Sequence, residues 1–141
     1  MQLFTLASLI LAFAAATTSA RDTSNPACDR PDGSVSTKTR QTSQPVVYIP
    51  PGSGACEFEY TNEDLGVCVS PGYVHSGYAN HCGAKVQVSY GGQTVQVKVV
   101  DVCGAASDCD DLFLTEKAFK QLGGSTAKGR LDGPVTWNFV N

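Results

Sequence analysis

The run Lys85–Phe119, KVQVSYGGQTVQVKVVDVCGAASDCDDLFLTEKAF, decides how the rest of the chain is read. Val86, Val88 and Tyr90 alternate with Gln87 and Ser89, the period of a strand with one buried face. After Gly91-Gly92 the alternation resumes, with Val95, Val97 and Val99 set against Gln96 and Lys98. Two glycines supply the positive φ values that a tight turn needs, so a two-stranded hairpin is expected. The second strand continues into Val100-Asp101-Val102-Cys103, where the alternation changes phase around an acid. A carboxylate set among valines must be hydrogen-bonded or close to solvent, because burying it bare is costly. Asp101 is therefore the first candidate functional residue.

The chain has 141 residues. Leu3 to Ala16 is apolar and runs into Thr17-Thr18-Ser19-Ala20, with small residues at the positions a signal peptidase reads. A secretory signal over residues 1–20 is expected, and no later apolar run is long enough to anchor the chain in a membrane. The remainder carries every charged residue, so its net charge is also −3. That mild acidity argues against a nucleic-acid partner, and the length suits one monomeric domain. Six cysteines in an exported chain imply three disulfides. Cys103 and Cys109 are expected to pair, since only a short polar loop separates them; the partners of Cys28, Cys56, Cys68 and Cys82 stay open. The cysteine spacings, taken with His75 and His81, match no zinc pattern, so neither metal nor other cofactor is expected.

Residues 21–44 are rich in Ser, Thr, Asp and Pro and read as a flexible arm, with the ordered domain beginning at Pro45. Val46–Ile49 is a short strand stopped by Pro50-Pro51, and Leu65–Val69 is a second, favoured by its β-branched residues. Pro71 to Asn80 is a Gly-rich loop carrying Tyr73, His75 and Tyr78. Its tyrosines suit either carbohydrate or peptide binding, or simple cover for the core. Thr115 is placed to cap a helix over Glu116–Leu122, which Gly123-Gly124 ends. Val135, Trp137 and Phe139 share one face of a closing strand. Many short strands and one short helix indicate a small, mainly β barrel.

The run VVDVCGAASDCDDLFLTEKAFKQLG, followed by GRLDGPVTWNFV, resembles the second half of the rare-lipoprotein-A-like double-psi β-barrel family. That family includes expansin first domains, loosenin-type proteins, barwin and small secreted protease inhibitors. Gly54-Ala55-Cys56 and His81-Cys82-Gly83 match its first-half cysteine positions, and the likeness runs from Val46 to Val140. It implies a six-stranded, disulfide-linked double-psi barrel with one helix. It also implies that Tyr48, the first-strand aromatic, and Asp101 line an open groove.

The acid that acts in expansins and related endoglucanases falls on Phe113 here. Glycoside hydrolysis needs two carboxylates about the scissile bond, and Phe113 donates no proton. Asp111 lies on the same strand face but about 6–7 Å away, too far to take over acid catalysis in an unaltered groove. Asp108, Asp110 and Asp111 otherwise read as a solvated loop face. The expectation is a secreted, non-hydrolytic, expansin- or loosenin-like binder of cell-wall polysaccharide, with Tyr48, Tyr73, Tyr78, Asp101, Asp111 and Phe113 as groove residues. The rival is a protein-binding module on the same barrel, a cysteine-protease inhibitor or apoplastic effector. A glycosidase using Asp101 and Asp111 ranks third.

Overall fold

Valine alternation builds the centre of the sheet, and residues far apart in the chain close it. The computed structural model describes residue 28 and residues 37–73, 81–106 and 108–140. In chain order the strands are β1 (Arg40–Gln41), β2 (Val46–Ile49), β3 (Gly52–Ser53), β4 (Glu59–Tyr60) and β5 (Gly66–Val69). A 3-10 turn follows at Pro71–Tyr73, then β6 (Lys85–Tyr90), β7 (Gln93–Val102), β8 (Leu112–Thr115) and helix α1 (Glu116–Gln121). β9 (Arg130–Leu131) and β10 (Thr136–Val140) complete the chain.

Eight strands form one sheet in the order β1-β10-β6-β7-β5-β8-β2-β9, while β3 and β4 make a separate ribbon. The β6–β7 hairpin has the expected register, with Val86 opposite Val97 and Val88 opposite Val95. Its valines point inward, and Lys85, Gln87, Gln96 and Lys98 point out. Gly91 and Gly92 turn the chain with φ of 56° and 81°. β2 with β8, and β5 with β7, pair in parallel. Parallel partners need crossover connections, and these curl the sheet into a half-barrel around one valine- and aromatic-rich core. Trp137 and Phe139 are buried in it, 1% and 2% exposed.

The helix begins at Glu116 as expected, but Thr115 does not cap it through its side chain. The Thr115 hydroxyl turns instead to β5, donating to the carbonyls of Asp64 and Gly66 and accepting from Gly66 N. Pairing with a strand has outcompeted the cap.

The arm assigned to residues 21–44 joins the sheet before its end. Arg40 pairs with Trp137 across β1 and β10, and Thr42 N donates to Val135 O at 3.0 Å. The reason is one side chain. The Arg40 guanidinium lies 5.0 Å from the Trp137 ring centre and under 6 Å from those of Tyr73 and Phe139 (5.7 and 5.6 Å), with Asp110 at 3.6 Å. A planar cation stacked on aromatic faces can be buried where an ammonium cannot.

The disulfides are Cys28–Cys109, Cys56–Cys82 and Cys68–Cys103, which corrects the expected Cys103–Cys109 bridge. Register explains it. Cys68 sits opposite Asp101, and Cys103 follows two residues later on the same face, with Cα atoms 5.5 Å apart. Cys109 is left to reach Cys28, whose amide bonds Gly72 O at 3.1 Å.

Candidate functional site

The acid that interrupts the valines lies at the end of β7, and the β3–β4 ribbon closes over it. Asp101 Oδ1 accepts from Ala55 N at 2.9 Å and Val102 N at 2.7 Å, and Oδ2 accepts from the Tyr60 hydroxyl at 2.8 Å. Gly54 permits this approach, since a Cβ there would stand 1.8 Å from the carboxyl carbon. Burial pushes the Tyr60 phenol up to about 12, helped by its hydrogen bond to Asp101 and by that group's negative charge. A carboxylate offers about four acceptor positions. With these three taken, Asp101 serves as a clasp between ribbon and barrel.

Tyr60 is the residue that sequence reasoning missed. The demand for a donor was visible in Asp101 itself; nothing local said which of five tyrosines would supply it.

Asp101, Cys68 and Phe113 form one row across β7, β5 and β8. Phe113 is only 5% exposed, so it does not line an open groove. β8 lies between β5 and β2, and all four of its residues are buried. Tyr48 pairs with Leu114, the next residue along, and so stands on the other face of the sheet. It packs on Phe119 with ring centres 5.2 Å apart. The groove expected from Tyr48, Asp101 and Phe113 is therefore not assembled on one face.

Two further candidates are structural. Tyr73 is 1% exposed and packs edge-on to Trp137, Phe139 and His81, so of its two readings the core role holds. Asp111 is fully buried, against both the groove reading and the solvated-loop reading. Its carboxylate accepts from Ser43 N and Oγ at 2.8 Å and from Gln44 Nε2 at 2.9 Å, fastening the segment before β2 to the start of β8. Tyr78 and His75 lie outside the described residues. Among the described residues no cluster of His, Cys, Asp and Glu is placed to hold a metal, and no helix is long and apolar enough to cross a membrane.

No protein-family model matches the chain, nor does any curated protein. Among solved structures it is similar to the Streptomyces papain inhibitor at 26% identity and a TM-score of 0.58, covering 80% of this chain and 100% of that one. It is also similar to a Clavibacter michiganensis expansin at 25% identity and a TM-score of 0.58. That match covers 74% of this chain and 51% of the expansin, so the chain spans about half the expansin's length. A mutant of the same expansin in complex with cellohexaose matches over the same shares, with 25% identity and a TM-score of 0.57. Sheet order, parallel pairs and these likenesses agree: in fold the chain belongs with the expansin-like, barwin-like double-psi β-barrels.

Proposed function

We propose that this is an exported, non-hydrolytic polysaccharide-binding protein of the expansin-like kind. The observation that carries this reading is the state of its acids. The sequence resemblance puts the family's acting acid on Phe113, and the other two candidates are committed elsewhere. Asp101 is held by Ala55, Tyr60 and Val102, and Asp111 by Ser43 and Gln44. Hydrolysis needs one carboxyl to protonate the leaving oxygen and another to act on the opposite side of the bond. Neither acid here is presented to a chain in that way. The likeness to an expansin crystallised with cellohexaose supports a sugar-chain partner. The test is a pull-down of the disulfide-bonded protein on insoluble cellulose, xylan and chitin, with reducing sugar measured in the supernatant. Retention on at least one polymer without sugar release is expected. Sugar release that Asp101→Asn abolishes would restore the enzyme.

A second reading is favoured by one observation, the match to the whole length of a papain inhibitor. On it the protein-binding surface is the loop from Gly104 to Asp110, since Tyr73 and Asp111 are buried. Loss of papain activity at a one-to-one ratio of this protein, with no retention on any polymer, would move the assignment to that reading.

A further inference from the structure

The outward side of β10, β6 and β7 is a face built in rows. Strand register sets Lys85 opposite Lys98, Gln87 opposite Gln96 and Ser89 opposite Thr94. β10 extends these rows with Val140 beside Lys85, Asn138 beside Gln87 and Thr136 beside Ser89. The face thus runs from a lysine row through an amide row to a hydroxyl row, with successive rows about 7 Å apart. None of these positions is acidic, in a chain whose net charge is −3.

Two lysines directly opposite on one sheet face repel and cost stability. Lys85 and Lys98 are both exposed, and among the described residues neither makes an ion pair. Asp64 feels the charge of Lys98, yet its carboxylate bonds Thr61 N at 2.7 Å and Thr61 Oγ1 at 3.1 Å. The lysine row borders a depression of about 260 Å³ lined by Leu65, Gly83 and Gln96. Phe58 lies at the same end, 36% exposed, with the Lys98 ammonium 4.5 Å from its ring centre and Gly83 beside its edge. An exposed ring, two ammonium groups outside any ion pair and a row of amides form a set suited to one ligand chemistry. Sugar C–H faces stack on the ring, carboxylates pair with the lysines, and hydroxyls bond the amides.

We infer that this face, with Phe58 at its end, binds an anionic saccharide chain carrying uronate carboxylates. The inference rests on the polysaccharide reading above and deepens it by naming the chemistry and the surface. It places the contact on the exposed side of the central hairpin, with Phe58 drawn from the same ribbon that bonds Asp101.

Affinity electrophoresis of the disulfide-bonded protein through gels holding polygalacturonate, soluble xylan or poly-glutamate tests it. Polygalacturonate is expected to retard the protein at low salt, with retardation falling as salt rises, because exposed charges are screened. Lys85→Gln with Lys98→Gln should weaken binding about tenfold or more, and Phe58→Ala about fivefold. Lys120→Gln, which removes a lysine already paired with Glu116, should leave binding unchanged. All these positions are at least one-third exposed, so each variant should fold, and relief of the Lys85–Lys98 repulsion should leave the double variant melting no lower than the parent protein. Equal retardation by xylan, untouched by the lysine changes, would overturn the inference and leave the polysaccharide reading standing. Poly-glutamate bound as tightly, with Phe58→Ala neutral, would reduce the face to a bare charge patch and overturn it too. Retention by no polysaccharide at all, in these gels or on the insoluble polymers, would sink both.

Discussion

At the scale of single residues, Asp101 shows how a demand becomes a clasp. An acid in a valine strand must find donors, and it finds Ala55 N, Val102 N and the Tyr60 hydroxyl. Asp101→Ala leaves the buried Tyr60 hydroxyl and its neighbour amide unsatisfied and is expected to cost about 1–3 kcal/mol in denaturant unfolding; Asp101→Asn, which keeps an acceptor, should cost less. Tyr60 adds a pH signature. Its folded-state pKa, about 12, lies above the ordinary value of 10.0, so its stabilisation is complete below pH 10 and is lost as pH rises through 12. That loss should amount to at most about 3 kcal/mol, and Tyr60→Phe should remove this alkaline step. An unchanged pH profile in Tyr60→Phe would show that the phenol is neither buried nor held as described.

At the scale of elements, β10 carries more than its length implies. Trp137 is buried, its indole N–H donates to Asp110 O at 2.7 Å, and Arg40 stacks on its ring. Trp137→Ala therefore removes a core side chain, a hydrogen bond and the seat of β1 together. A loss of about 3–5 kcal/mol is expected, and a fall in Tm of more than about 10 °C in a domain this small. A shift of one or two degrees would contradict the place given to this strand. The inward face of β10 was legible in the alternation of Val135, Trp137 and Phe139. The attachment of β1 was not, because a segment rich in Ser, Thr and Pro looks solvated until one arginine is matched to rings about a hundred residues away in sequence.

At the scale of the whole molecule, Cys28–Cys109 and Cys56–Cys82 join segments outside the main sheet, while Cys68–Cys103 staples strands already paired. Cys28–Cys109 spans 81 residues and pins the chain ahead of β1 to the loop before β8. Peptide mapping without reduction should return Cys28–Cys109, Cys56–Cys82 and Cys68–Cys103; a Cys103–Cys109 peptide would overturn this topology. Replacing Cys28 and Cys109 by serine should cost about 2–4 kcal/mol, as for a long closed loop.

The sequence by itself determined the periodic parts: the hairpin, the closing strand, the position of the helix and the barrel class. Local sterics and the two-residue period act through neighbours in the chain, and neighbours are what a sequence displays. Only the tertiary structure decided the cysteine partners, the donor for Asp101, and the burial of Tyr73, Asp111 and Phe113. Each depends on which strands become adjacent after the crossovers. Phe113 was read toward a groove because its position matched an acid, yet an interior strand buries it. Lys85 and Lys98 were read as the polar phase of a hairpin, and only the register showed them facing each other across it. Two like charges side by side are a property of the pairing, which neither strand carries alone.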